Sequence, residues 1–473
     1  MNIGHVAPEI ALALGAVAVI LTASFTARNR QGLPTLVALV AVIASAGTSI
    51  ALAAGAEPQL TMERSWALDG ATQAAELLVL AVTAITLLLS IEWFRTDPRR
   101  GEYPAIVLFA AAGAMLLAGA ADTMELVVGM LLVSVAGYTL AAYHRNSPAA
   151  LEAGMKYFLI GALTNSLLLL GVVLLYGVTG TTSYEVSIAP LTSGADTIAV
   201  TAAVLCILIG LAFEIGAVPA HVWLPDVAQG SPVPSAAFLT VAPKIGALVA
   251  LARILQLVPT DIVDWRPIVA AVAAITMSLG NLIALWQTDL RRLLGWSSVS
   301  QAGYALMAVV VIDRAELALS ALVAFLAGYA AATVAAFAVV AQLRGRTAID
   351  DYRGIGTRRP WLAAALTVSL LSLVGIPPLG GFVGKLTVFA ATIDGGYAWL
   401  AALAVANTVA SLFYYLRVIG PMYLERGSDT SPAPAVLSRA AAAGAGLAAA
   451  AVVAVGLLAG PLLSALDGVR LLP

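Results

Sequence analysis

The sequence predicts an all-α, polytopic membrane protein with about 14 transmembrane helices, and two observations lead to that prediction. Of the 473 residues, 61% are hydrophobic and only 11% are charged, whereas soluble domains carry roughly 25% charged residues. Uncharged runs of roughly 20 residues, the length that crosses a hydrocarbon core about 30 Å thick, recur from end to end. Lipid is therefore the expected solvent.

Each predicted helix begins where a polar connection gives way to such a run. The first begins near residue 8, and because it carries Glu9 without a basic stretch before it, we expect a retained helix rather than a cleaved signal peptide. The second and third begin near residues 33 and 73 and complete an N-terminal three-helix segment, 1–102. The later helices begin near residues 103, 124, 151, 197, 233, 268, 296, 315, 360, 396 and 438.

Arginines in the connecting loops predict the orientation, since the cytoplasmic loops of membrane proteins are rich in basic residues. When the loops are sorted alternately, most arginines fall on one side, which we assign to the cytoplasm. Both termini then lie on the extracytoplasmic side of the bacterial cell (inner) membrane. The cytoplasmic set is Arg28, Arg30, Arg95, Arg99, Arg100, Arg145, Arg291, Arg292, Arg344, Arg346, Arg353, Arg358, Arg359, Arg417, Arg426 and Arg439, and the other side holds Arg64, Arg253, Arg266, Arg314 and Arg470.

The sequence offers no motif for redox or nucleotide chemistry. Cys206 is the one cysteine and lies in an apolar run, so it supplies neither an internal disulfide nor an iron-sulfur cluster. The three histidines, His5, His144 and His221, are far apart, and the chain has no Gly-rich dinucleotide turn or Walker loop. We expect no cofactor or metal in this chain, and no nucleic-acid partner, because the arginines are explained as topology signals.

All three lysines, Lys156, Lys244 and Lys385, fall within or at the edge of hydrophobic segments, whereas the loops use arginine. Arginine stays charged in nearly every environment, but a buried lysine can release its proton. Glu214 is the deepest acid and is expected to pair with Lys244 from the preceding helix. Because a charge at membrane depth is costly, these residues are candidate proton carriers, although ion pairs that merely hold helices together remain the alternative.

Two further charged residues are weaker candidates for a relay. Lys156 follows Glu152 by about one turn near the cytoplasmic end, so it either takes part in a relay or extends to the membrane interface. Glu125 lies about one turn into its helix and is expected to be interfacial rather than central.

Proline and glycine predict that two of the helices are interrupted. Pro219 lies in GAVPAHVWLPD, and Pro377 and Pro378 lie in GIPPLGG. Interrupted helices in two related halves often mark an ion pathway, and Glu214 and Lys385 flank the two breaks; simple kinking for packing is the alternative. His221, beside the first break, either relays protons or sits at a wet interface.

Six segments together resemble the subunit N family of bacterial NADH-quinone oxidoreductase (respiratory complex I, NDH-1), whose members are antiporter-like membrane subunits. They are, in order, ALEAGMKYFLIGAL with LLLGVVLLYGVTG, VPAHVWLPDVAQGSPVPSAAFL, TDLRRLLGWSSVSQAGY, LSLVGIPPLGGFVGK and FYYLRVIGPMY, within residues 120 to 425. QGSPVP resembles the wording of complex I rather than that of Mrp-type antiporter subunits.

The resemblance implies two inverted five-helix repeats, each with a broken helix, over 103–256 and 268–424, followed by a C-terminal helix in 425–473. It also implies proton translocation driven by quinone reduction elsewhere in the complex, with menaquinone or ubiquinone as the electron acceptor. NAD, FMN, iron-sulfur clusters and quinone are then expected in partner subunits. The implied partners are the other membrane and peripheral subunits of complex I, together with membrane lipid.

Three positions depart from the family pattern. Lys244 and Lys385 match its lysines in the eighth and twelfth helices, but the glutamate of the fifth helix is replaced by Leu131, and the lysine of the seventh by Glu214. Gln301 stands where many relatives have a histidine, and glutamine holds water without titrating.

These departures leave three functions open. The chain either moves protons through a rewired site with Glu214, Lys244 and Lys385, or it is a non-pumping structural subunit of the same or a related complex. A free-standing cation/proton antiporter is the third possibility.

Overall fold

The computed structural model describes residues 3–27, 30–194, 196–424, 439–467, 469 and 471–473. Within these ranges, 12 helices are long and apolar enough to cross a membrane, and two shorter apolar helices, Tyr103–Gly119 and Pro360–Val374, accompany them. The predicted all-α fold with about fourteen spans is therefore confirmed.

Twenty α-helices follow one another in the described chain, and one of the spans, Val233–Leu257, is built from two of them. They are α1 (Ala7–Phe25), α2 (Leu33–Gly55), α3 (Gly70–Trp93), α4 (Tyr103–Gly119), α5 (Thr123–Ala141), α6 (Pro148–Thr179), α7 (Tyr184–Thr192), α8 (Thr197–Ile215), α9 (Trp223–Gly230), α10 (Val233–Leu239), α11 (Ala242–Leu257), α12 (Trp265–Ala284), α13 (Leu290–Val310), α14 (Ala318–Gln342), α15 (Ile355–Arg358), α16 (Pro360–Val374), α17 (Gly380–Asp394), α18 (Ala398–Leu424), α19 (Arg439–Leu457) and α20 (Ala459–Leu466). Short 3-10 helices cover Ile3–Val6 and Ile349–Tyr352.

Aspartate caps explain where several helices begin. Asp69 accepts a hydrogen bond from the backbone of Thr72 at the start of α3, and Asp289 accepts one from Arg292 at the start of α13. Such caps satisfy amide groups that a helix start would leave unpaired. Because Asp289 caps it, α13 begins at Leu290 rather than near residue 296, so the predicted start of the tenth span was too late.

A small hairpin and both chain ends lie on one face of the bundle. Strands β1 (Gln59–Thr61) and β2 (Trp66–Leu68) pair antiparallel between α2 and α3. His5 Nδ1 lies 3.1 Å from Thr61 Oγ1, and the backbone amide of Leu472 donates to Asp69, next to β2, at 2.9 Å. An even number of spans brings the two ends of a chain to the same face, as it does here.

Two arginines that were assigned to loops lie buried in helices instead. Arg253, within α11, pairs with Asp69 at 2.7 Å, and Arg266, in the first turn of α12, pairs with Asp313. An arginine inside the fold needs such a partner because an unpaired buried charge is costly. These two residues therefore stabilise helix contacts. Arg28, Arg426 and Arg470 lie outside the described residues.

The helices differ in how far they are enclosed. The span of α10 and α11, together with α13 and α14, is almost entirely buried, whereas α1, α2, α6, α18 and α19 have fewer than half of their residues buried. Polar side chains of the buried helices are therefore shielded from lipid by the surrounding ones. That arrangement lets a polar pathway exist at membrane depth.

Candidate functional site

The two predicted helix breaks are present and share one backbone geometry. Helix α8 ends before Gly216, which has a φ of 73°, and α16 ends before Gly375, which has a φ of 96°. In each case the glycine and the residue after it donate backbone hydrogen bonds to the last helical turn. Only glycine adopts this left-handed conformation without strain, which explains both glycines. The chain then runs without helix over 217–222 and 376–379.

At the second break, the carbonyls of the last turn of α16 are held by a lysine. Lys385, on α17, donates from Nζ to the carbonyl oxygens of Leu373 and Val374, at 2.9 Å each. A cation is favoured there because the C-terminal end of a helix carries partial negative charge. Its Nζ also lies 4.4 Å from the centre of the Tyr304 ring.

The first break holds its carbonyls with a neutral group. The indole Nε1 of Trp223 donates to the carbonyl of Phe213 at 3.1 Å. Glu214, in the last turn of α8, is only 1% exposed. It accepts hydrogen bonds from Ser134 at 2.7 Å and from Tyr157 at 3.3 Å. Among the described residues, the acid is therefore held by two hydroxyl groups and no cation.

Lys244 is bound by a separate set of polar groups. It is 1% exposed and donates to the carbonyl and the hydroxyl of Ser298, at 2.6 and 2.9 Å, and to the Tyr329 hydroxyl at 3.4 Å. The carbonyl of Thr240, between α10 and α11, accepts from Ser298 and Tyr329 as well. Since Lys244 and Glu214 each bond to other residues, the expected direct pair is not formed.

Gln301 connects the surroundings of the two buried lysines. Its Nε2 donates to the carbonyl of Leu373 at 2.9 Å, the same oxygen that Lys385 binds. Ser298, the partner of Lys244, lies three residues earlier on α13, which is about one turn. Helix α13 thus supplies a polar side chain that binds Lys244 and another that binds the carbonyl shared with Lys385.

Leu131, which the resemblance places where the family has its acid, does not face the polar core. Leu131 is 40% exposed on the outside of α5. Ser134, about one turn later, is buried and bonds to Glu214. Sequence reasoning missed Ser134 and Tyr157 because single hydroxyl groups are common in membrane helices. The cluster SSVSQ on α13, by contrast, was a visible signal of the polar path.

The weaker candidates lie apart from this core. Lys156 is partly exposed and bonds to Glu152 at 2.6 Å and to Asp226 at 2.9 Å. Asp226 also binds Arg292 at 2.5 Å, so Lys156 belongs to an ion-pair network at the helix ends. Burial there is incomplete, and the charges stabilise one another.

His221 and Glu125 stand in separate surroundings. The His221 ring lies in the first break, 5.7 Å from the ring of Trp296. Its Nδ1 is buried and has no hydrogen-bond partner within the described part of the chain. Glu125 lies in the first turn of α5 and is partly buried. Neither contacts Lys244 or Lys385 through any described hydrogen bond.

Known proteins match this chain along most of its length. The family described as "NADH:quinone oxidoreductase/Mrp antiporter, TM" matches residues 120–411. A subunit N of NADH-quinone oxidoreductase from Mycobacterium sp. (strain JLS) is 46% identical over 404 residues, covering 85% of each chain. A subunit N 1 from Streptomyces griseus is 44% identical over 461 residues, covering 97% of this chain and 96% of that one.

A solved structure agrees with these relatives. One chain of respiratory complex I from Thermus thermophilus, determined with bound aureothin, is 31% identical and superposes with a TM-score of 0.83. The match covers 98% of this chain and 100% of that chain.

Proposed function

This chain belongs to the subunit N family of the NADH-quinone oxidoreductases, and from that membership we propose that it carries protons along its buried lysines. Its partners are the other subunits of the complex, as in the assemblies that hold its relatives. In this role the chain moves no electrons itself. Redox energy released elsewhere reaches it as a change in the proton affinity of buried groups.

The observation that supports this role is the shared carbonyl of Leu373. Lys385 and Gln301 both donate to it, and one turn away on α13 the hydroxyl of Ser298 binds Lys244. A proton released by one lysine therefore has polar groups along the way to the other. A structural ion pair needs no such continuity, because it requires only two opposite charges in contact.

Glu214 enters the pathway as an acid held by hydroxyl groups. Ser134 and Tyr157 stabilise its charged form, and no arginine or lysine in the described part of the chain fixes that charge. A carboxyl group held in this way binds and releases a proton without breaking an ion pair. Glu214 thus takes the place of the lysine found in the family. A non-pumping structural subunit is the second candidate function, because Leu131, which stands where the family has an acid, cannot titrate.

The finer assignments extend the same proposal. The complex acts as a proton-translocating NADH-quinone oxidoreductase, a translocase, with NAD, FMN, iron-sulfur clusters and quinone bound by its other subunits. Residues 103–256 and 268–424 form the two repeats, between the three-helix segment 1–102 and the C-terminal helix in 425–473. The arginine distribution supports a bacterial cell membrane location with both termini outside.

The test is proton translocation per electron in vesicles that carry the intact complex. We expect Lys244→Met, Lys244→Arg and Glu214→Gln each to lower the ratio while quinone reduction continues. Arginine matters here because it keeps the charge but does not release a proton. An exposed charge at a helix end, Arg95→Gln, serves as the control, since Arg95 forms a surface ion pair with its neighbour Glu92.

The outcome separates the two candidates. If Lys244→Arg pumps normally, a fixed charge is sufficient and the residue is structural. If all three variants assemble and pump like the Arg95→Gln control, the chain is a spacer and the protons cross in neighbouring subunits.

A further inference from the structure

Two buried carboxyl groups lie in the N-terminal helices, away from the lysines of the pathway. Glu9, in the first turn of α1, is 7% exposed, and Glu76, about two turns into α3, is 2% exposed. The two carboxyl groups interact electrostatically, and α2 joins their surroundings, because Ser45, one turn before Ser49, donates its hydroxyl to the carbonyl of Pro8 at 2.9 Å. Ser49, on α2, donates its hydroxyl to Glu76 Oε2 at 2.5 Å. Three helices therefore meet around one pair of acids.

No basic side chain among the residues that the structure describes compensates this pair. None of the ion pairs among the described residues includes Glu9 or Glu76. The nearby Asp69 is itself bound to Arg253, which uses that arginine. Neither carboxylate oxygen of Glu9 accepts a hydrogen bond from an N–H or O–H group in the described part of the chain. Two adjacent carboxylates without a cation cannot both stay ionised in a low-dielectric interior.

We propose that Glu9 and Glu76 share one proton and form a second proton-binding site, near the face of the bundle that carries both chain ends. The hydroxyl of Ser49 stabilises the charge on Glu76, and the proton between the two acids supplies the donor that the oxygens of Glu9 lack. Loading and release of that proton changes the charge of the pair by one unit. The arginine distribution assigns this face to the outside of the cell.

Glu125 gives the pair a connection toward the surface. It lies in the first turn of α5, close enough to Glu9 to act on it electrostatically, and it is less buried than the pair. Its Oε2 is buried and unpartnered within the described residues, as are Thr123 Oγ1 and the hydroxyl of Tyr184 at the same end of the bundle. Buried polar atoms of this kind are normally satisfied by water, which carries protons. A proton that leaves the pair therefore has Glu125 and these hydroxyl groups as polar neighbours at this end of the bundle.

A proton fits this site better than a metal ion does. Within the part of the chain that the structure describes, no group of three or more His, Cys, Asp or Glu side chains is placed to hold a metal. Two carboxyl groups and one hydroxyl are too few oxygens for Ca²⁺, which takes 6–8 oxygen ligands. A shared proton needs only the two acids.

This proposal rests on the proposed function, since a proton site has a purpose only in a chain that moves protons. It adds a place where protons are held near the outer face, separate from the lysine path. It is tested in vesicles with the intact complex, by measuring protons translocated per electron in Glu9→Gln and Glu76→Gln. Glutamine keeps a hydrogen bond between the two side chains but does not release a proton.

We expect both variants to assemble and reduce quinone, and to translocate fewer protons per electron. Glu57→Gln is the matched control, because Glu57 is an exposed acid on the same face. If Glu9→Gln and Glu76→Gln both match the control while Lys244→Met lowers the ratio, this proposal fails and the proposed function stands. If Lys244→Met also matches the control, the proposed function fails.

A measurement on the unaltered complex decides the matter if the variants do not assemble. A hydrophobic carbodiimide reacts with carboxyl groups that carry a proton, and peptide mass mapping then locates the product. We expect modification at Glu9 or Glu76, reduced by raising the pH, and none at Glu57. Absence of product at both buried acids would overturn the proposal.

Discussion

At both interruptions of the bundle, a half-helix ends on a glycine in the left-handed conformation, yet the groups that meet the free carbonyls differ. At the second break, the ammonium of Lys385 binds two carbonyls. At the first, the indole of Trp223 binds one, and Glu214 beside it is held by two hydroxyl groups. The two breaks thus share a backbone geometry, although the titrating group is a base at one and an acid at the other. The same backbone break therefore accommodates either kind of group.

The largest effect is expected when the first break is given the charge of the second. Glu214→Lys puts an ammonium against Ser134 and Tyr157 with no acid beside it, and an unpaired buried charge costs about 3–5 kcal/mol. The free energy of unfolding, or the amount of assembled complex, measures that cost. Ser134→Glu added to Glu214→Lys should restore most of it.

The alternative second change provides the control. Leu131→Glu restores the residue found in the family, but Leu131 points outward, so it should rescue Glu214→Lys less well than Ser134→Glu does. Equal rescue by both would show that α5 rotates to serve either position, and the distinction between Leu131 and Ser134 would be wrong.

Removing the base from the second break should have the next largest effect. Lys385→Met keeps the length of the side chain but loses two hydrogen bonds from a charged donor. A hydrogen bond that involves a charged group contributes on the order of 1.5–3 kcal/mol. We expect a lower thermal midpoint of the complex and reduced proton translocation per electron. Leu386→Ala, one residue along on an exposed face, is the control. Normal pumping in Lys385→Met would exclude the residue from the pathway.

The two glycines should respond alike, because their geometry is alike. Alanine in the left-handed conformation costs roughly 1–2 kcal/mol, and an added Cβ would come within 2.9 Å of Leu224 at Gly216 and within 3.0 Å of Lys385 at Gly375. Gly216→Ala and Gly375→Ala should therefore lower stability by similar amounts, measured by thermal unfolding. Gly177→Ala, where nothing lies within 4 Å, should have no such cost. A clear difference between Gly216 and Gly375 would break the comparison.

The smallest effect is expected at the neutral cap of the first break. Trp223→Phe removes the hydrogen bond to Phe213 and costs about 1 kcal/mol, while the aromatic stack on Tyr157, with ring centres 4.1 Å apart, is kept. Proton translocation should be unchanged, because Trp223 carries no titrating group. A loss of pumping as large as that in Lys385→Met would mean that the capped carbonyl itself belongs to the path.

The sequence predicted the parts of this molecule that depend on local pattern. Apolar runs gave the spans, and proline with glycine marked both breaks, since these signals act through the backbone of a few neighbouring residues. The partners of Glu214 and Lys244 could not be predicted in this way. Ser134 and Ser298 are 80 and 54 residues distant from them, and the pairing depends on how helices rotate when they pack.

The predicted pairing of Glu214 with Lys244 was wrong for a physical reason. Glu214 and Lys244 are on successive spans, which suggested a pair, but the break after Gly216 and the interruption near Thr240 turn their side chains toward different neighbours. Arg253 was misread for a similar reason, because an arginine near the end of a helix resembles a loop residue until its partner, Asp69, is known.

The contacts of Arg253 join parts of the chain that lie far apart in sequence. Its guanidinium bonds to Asp69 and to the carbonyl of Leu472, and the amide of Leu472 bonds in turn to Asp69, across a separation of 403 residues. The pair of Arg253 and Asp69 joins α11 to the start of α3 directly, and Leu472, beyond α20, adds a third partner to it. The cluster therefore couples the stability of α3 and α11 to that of the segment that follows α20.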